Sequence, residues 1–106
     1  MPTDRVRTSD VDRLLEAIQS LRTADEVYAF LQDVATVREI HDMAQRLAVA
    51  SMLASGVHYD QVRDATGAST TTISRVSRCL NYGADGYRMV FDRIDASSDE
   101  SRGEQT

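Results

Sequence analysis

Few residues of this 106-residue chain have side chains suited to catalysis, and their spacing argues against it. His41 and His58 are the two histidines, and Cys79 is the single cysteine. Their separations match no zinc site, so no metal is expected. Asp60 and Asp64 form an i, i+4 acid pair, read as a solvated helix face because no general acid–base partner accompanies them. Cys79 lies beside Arg78, one condition for an activated thiol, but its neighbours Ile73, Val76 and Leu80 read it as a small core filler. No glycine-rich loop is present to cradle a phosphate. The chain is therefore expected to have no catalytic residues and no cofactor. What remains is a dense set of hydroxyls and arginines: Ser69, Thr70, Thr71, Thr72, Ser74, Arg75 and Arg78. Small hydroxyls allow close backbone approach to a nucleic acid, and arginine suits phosphate or guanine.

Those residues need an element that presents them on one side. Ile73, Val76 and Leu80 recur at helical spacing, which buries one face and turns Thr70, Thr71, Ser74, Arg75 and Arg78 outward. Ser69 and Thr70 offer oxygens that can cap the helix start. Upstream, Tyr59, Val62 and Ala65 recur three apart, as on a short helix ended by Gly67. Helix, glycine turn and hydroxyl-rich helix over residues 59–80 describe a helix-turn-helix, whose second helix enters the DNA major groove. Two short helices around a glycine also occur in helical domains that bind no DNA. The outer face favours DNA, because Ser and Thr are indifferent helix formers and need another reason to crowd one helix.

The rest of the chain reads as support. Residues 1–8 lack apolar periodicity and are expected to form a flexible arm. Thr8 or Ser9 caps a helix with Val11, Leu14, Leu15, Ile18 and Leu21 on one stripe. Thr23 with Glu26 is a capping box opening a second helix, whose apolar face is Val27, Phe30, Leu31 and Val34. Thr36 with Glu39 is another, opening a helix to about Ala54 that is stopped by Gly56. Within it, residues 47–53 are apolar nearly all round and must be buried on every side. A chain of this length can hardly supply that burial alone, whereas an intertwined dimer can. After Asn81, Tyr82 and Gly83 stop the recognition helix, a last helix carries Tyr87, Val90, Phe91 and Ile94. Residues 96–106 are acidic and poor in apolar side chains, and are expected to be a disordered tail. The fold class is all-α, about six helices, with one helical domain over residues 9–95.

Net charge is −5, yet its distribution is uneven. Residues 59–83 hold three arginines against two carboxylates, while residues 1–58 hold six against nine and residues 84–106 three against six. DNA affinity follows local phosphate contacts, so binding is expected to be modest and salt-sensitive. One cysteine excludes an intramolecular disulfide. The polar N-terminus and the absence of a long apolar run point to a cytoplasmic protein without a membrane segment.

Taken together, the run Ala44-Gln45-Arg46-Leu47, then Thr66-Gly67-Ala68-Ser69, then Thr72-Ile73-Ser74-Arg75-Val76, closing with Arg78, Leu80, Asn81, Tyr82 and Gly83, resembles the Trp-repressor superfamily. Within it the chain is most similar to the YerC/YecD branch of TrpR-like regulators. The resemblance spans residues 11–94 and implies an intertwined homodimer whose subunits each present a helix-turn-helix to successive major grooves. It also implies a corepressor site in which two arginines sandwich an indole, matched here by Arg46 and Arg75. A glycine beside the indole is matched by Val76, and a serine near the ligand's amino group by Cys79. The interval between Gly56 and Gly67 is one residue shorter than in the repressor. Those departures imply that the fold is shared and the tryptophan switch is not.

The resulting expectation is a homodimeric transcriptional regulator, a repressor, bound to palindromic double-stranded DNA. Arg63, Ser69, Thr70, Thr71, Thr72, Ser74, Arg75 and Arg78 are its expected DNA-facing residues, and Arg46, Arg75, Val76 and Cys79 the possible effector pocket. Two other readings stay open: a repressor governed by an effector other than tryptophan, and a protein-interaction module that does not bind DNA. At residue level, Arg46 and Arg75 could instead pair with Asp42 or Asp64, and Arg63 could be a plain solvated side chain.

Overall fold

The structure, a computed structural model, describes residues 6–104, with side chains through residue 96. Six α-helices account for its regular structure, and no strand occurs among the described residues: α1 (Ser9–Gln19), α2 (Ala24–Val34), α3 (Val37–Ala54), α4 (Tyr59–Thr66), α5 (Thr70–Tyr82) and α6 (Gly86–Glu104). The all-α class and the number of helices agree with the sequence. The chain divides into two compact units, residues 1–40 and 41–106, with the boundary inside α3.

In the first unit the helix starts follow from side-chain caps. Thr8, not Ser9, caps α1, its hydroxyl accepting the Val11 N–H at 3.2 Å. Thr23 caps α2 by accepting from Glu26 N–H at 3.1 Å, while the Glu26 carboxylate accepts from Arg22 N–H rather than from Thr23. The pair opening α3 is reciprocal: Glu39 N–H donates to Thr36 Oγ1 (3.1 Å), and Thr36 N–H donates to the Glu39 carboxylate (2.8 Å). Those bonds from Thr36 hold the Glu39 carboxyl below its ordinary value. Neither α1 nor α2 has a buried residue, and Leu14, Leu15, Ile18, Val27 and Val34 remain exposed.

The second unit contains the core: Val49 and Ala50 of α3, Val62 of α4, Ala68 of the turn, Ile73 and Val76 of α5, and Phe91 of α6. Met52, Leu53, Val57 and Tyr87 pack against it, the Tyr87 and Phe91 rings stacking at 6.2 Å between centroids. Full burial of each of Val49, Val62, Ile73 and Val76 contributes ~1.5–3 kcal/mol. Of the all-round apolar stretch at 47–53, only Val49 and Ala50 are buried; Leu47 is 40% exposed.

The structure departs from the expected pattern at three places. The last helix does not stop at Ala96 but runs to Glu104, so that part of the expected disordered tail is helical. Residues 96–102 hold no proline or glycine, and nothing in them breaks a helix already formed upstream. Residues 105–106, and 1–5 of the expected N-terminal arm, lie outside the described residues. Tyr59 and Ala65 are exposed, and α4 buries Val62 with Thr66 half-buried. Cys79 is exposed rather than a core filler, because at 100° per residue it falls about 95° away from the stripe of Ile73, Val76 and Leu80.

Candidate nucleic-acid interface

The turn between α4 and α5 is built from short-range bonds. Gly67 takes φ +71°, the left-handed conformation that ends α4 with its N–H on the Arg63 carbonyl. Thr66 Oγ1 donates to the Val62 carbonyl (2.7 Å) and accepts from Ala68 N–H (3.2 Å), while Gln45 Nε2 of α3 donates to the Thr66 carbonyl (3.2 Å). Ala68, inserted into the core, fixes the turn from inside. Ser69 then caps α5: its hydroxyl accepts Thr72 N–H and donates to Thr72 Oγ1, both at 3.1 Å. At the far end Arg88 of α6 donates to the Leu80 carbonyl and to Asn81 Oδ1, each at 3.2 Å. Helix α5 is thus pinned at both ends.

Between those ends the helix is cleanly two-sided. Ile73, Val76 and Leu80 are buried, and Thr71, Ser74, Arg75 and Arg78 point the opposite way, about 180° round the axis. With Thr70 they line one shallow, open concavity of about 470 Å³. No carboxylate lines it, and the first turn of α5 holds no acidic residue to compete at its positive end. Arg46, Arg75 and Arg78 form no ion pair among the described residues, so neither Asp42 nor Asp64 takes up Arg46 or Arg75.

The other sequence-selected residues are placed differently. Ser69 and half-buried Thr72 bond to each other as a cap. Arg63 lies on the outside of α4 between two carboxylates, Nη1 at 3.7 Å from Asp60 and Nε at 3.6 Å from Asp64. Of the possible effector pocket, Arg46 is half-buried on α3, and Val76 is 1% exposed inside the core. Arg75 belongs to the α5 concavity. Cys79 lines a separate apolar groove of about 490 Å³ with Leu47, Ala84, Tyr87, Met89 and Val90. Among the described residues, no cluster of three His, Cys, Asp or Glu side chains could hold a metal ion, and no helix is long and apolar enough to cross a membrane.

The Gln45 and Arg88 bonds were not singled out from sequence, since both depend on which helices meet. The Asp60–Arg63–Asp64 cluster could have been, because Arg63 and Asp64 lie three and four residues after Asp60, on the same helix face.

Comparison with known proteins places this geometry. Residues 9–95 match the family model for Trp repressor protein. The chain is 48% identical over 101 residues to YerC of Bacillus subtilis (strain 168), covering 95% of this chain and 97% of YerC. The crystal structure of a TrpR-like protein from Eubacterium eligens superposes with a TM-score of 0.83 at 47% identity, over 88% of this chain and 96% of that one. A Staphylococcus aureus structure also gives 0.83, at 42% identity, over 90% of this chain and 95% of the other. With the family model matched over residues 9–95, through all six helices, this chain belongs to the Trp repressor family.

Proposed function

We propose that the chain is a sequence-specific DNA-binding transcriptional regulator, acting as a homodimeric repressor on a palindromic operator. The observation that carries the reading is the outer face of α5, where Thr70, Thr71, Ser74, Arg75 and Arg78 share one carboxylate-free concavity. In this reading Thr71 and Ser74 meet base edges, Arg75 and Arg78 anchor phosphates, and Ser69 with Thr72 holds the helix start in shape. Support for a dimer comes from the apolar side chains that one chain leaves exposed on α1, α2, α3 and α6, among them Leu15, Ile18, Val34, Leu47 and Ile94. Exposed apolar area on that scale marks an interaction surface.

The same reading takes tryptophan not to be the effector. Val76, in the position matched to the repressor's space-making glycine, is buried in the core, so its side chain fills space that a glycine would leave open, which supports this reading. A net charge of −5 favours the rival reading, a module that contacts another regulator in place of DNA. Retention on nonspecific duplex DNA separates the two. The DNA reading expects binding at low salt, release by moderate salt, and a clear loss in Arg75→Ala. Wild-type chain that fails to be retained while folded contradicts it.

A further inference from the structure

Arg63 is the sole cation of α4, and the structure surrounds it with opposite charge. Its guanidinium is 3.7 Å from the Asp60 carboxylate and 3.6 Å from that of Asp64, and all three side chains are open to solvent, Arg63 at 49% and the carboxylates at 70% and 75%. The two helices of the motif, which pack on each other, therefore differ in sign. Helix α4 carries two carboxylates and one arginine, whereas α5 carries two arginines and no carboxylate. Such a sign change on the first helix of a DNA-binding motif runs against simple phosphate affinity.

We infer that Arg63 is an exchangeable phosphate ligand, held by Asp60 and Asp64 in the free protein and traded to a DNA phosphate on binding, so that the two carboxylates restrain binding to DNA at large. The inference rests on the DNA-binding reading above. Exposed ion pairs of this kind are weak, which makes the exchange inexpensive. Nonspecific affinity is almost wholly electrostatic and grows with every arginine that neutralises a phosphate. When Arg63 leaves, Asp60 and Asp64 must attract a cation of their own, which offsets the counterion that Arg63 releases from the DNA. Because Arg63 would meet a phosphate whatever the sequence, the carboxylates lower binding in every mode by a similar factor, and so hold down background binding at low salt.

The test uses the full chain, random-sequence duplex DNA, and salt from 50 to 200 mM. Asp60→Asn with Asp64→Asn keeps side-chain shape and removes both charges, and far-UV circular dichroism checks the fold. The double variant is expected to bind more tightly than wild type at 50 mM, with a salt slope steeper by about one unit, so its advantage shrinks ~3–4-fold by 200 mM. In an Arg63→Gln background most of that gain should vanish. A gain of equal size in that background would overturn the exchange, leaving plain repulsion. Unchanged binding by the folded double variant, with Arg75→Ala still weakened, would overturn the inference while leaving the DNA reading standing. Absence of duplex binding by wild type and all variants would remove both.

Discussion

Thr71 and Arg75 share the exposed face of α5 but differ in what their loss should do. Arg75→Ala should weaken binding to many sequences alike and flatten the salt slope by about one unit per lost phosphate contact. Thr71→Ala should instead change which base is preferred at one position, by roughly 1–3 kcal/mol, read from a panel of single-substituted duplexes. Val76 sets a third expectation. An indole stacked between two arginines gains ~1–2 kcal/mol for each when desolvated. Seating it against a buried valine costs ~1–3 kcal/mol in overpacking. Calorimetric titration with L-tryptophan should therefore show no saturable binding below about 100 µM, a free energy near −5.5 kcal/mol. At Glu39 the capping bonds favour the charged form. Its depressed folded-state value means the cap's contribution is complete above the unfolded value and is lost as pH falls through the folded one. Hydrogen exchange at the start of α3 should accelerate over that acid range, and Glu39→Gln should remove the dependence.

At the scale of elements, local chemistry was the most legible part of the sequence. Thr8, Thr23, Thr36 and Ser69 all cap where oxygen-bearing residues precede a periodic stretch, and Gly67 ends α4 in the conformation that favours glycine. Ser69→Ala should cost ~0.5–2 kcal/mol in thermal or denaturant unfolding. Gly67→Ala should cost ~1–2 kcal/mol, since a side chain at φ +71° is strained although nothing lies near its Cβ. The α5 stripe was legible for the same reason: three apolar residues at helical spacing define one face. Helix α4 was harder to read, because eight residues give too few turns to choose between Tyr59 and Thr66 as partners of Val62. The length of α6 was misjudged because acidic composition speaks to burial, while continuation of an existing helix needs only the absence of a breaker. The bonds of Gln45 to Thr66 and of Arg88 to Leu80 join residues distant in sequence, and no local pattern announces them.

For the whole molecule, a small core in residues 41–106 coexists with apolar stripes that remain open in a single chain. The all-round apolar stretch of α3 marked that imbalance in the sequence, and Leu47 at 40% exposure now locates it. If a second copy covers these faces, light scattering at micromolar concentration should give twice the chain mass. Leu47→Asp should then dissociate and unfold the protein together, as an unpaired buried charge costs ~3–5 kcal/mol; a folded monomer would speak against the dimer. The proposed dimer, two-fold symmetric with one α5 per subunit, leads to the central claim, that this family member reads a palindrome. Selection from random duplex DNA with the purified chain tests it most directly. The expected product is an inverted repeat whose half-sites lie about one helical turn apart, ~34 Å. Recovery of no enriched sequence from folded protein at low salt would contradict it.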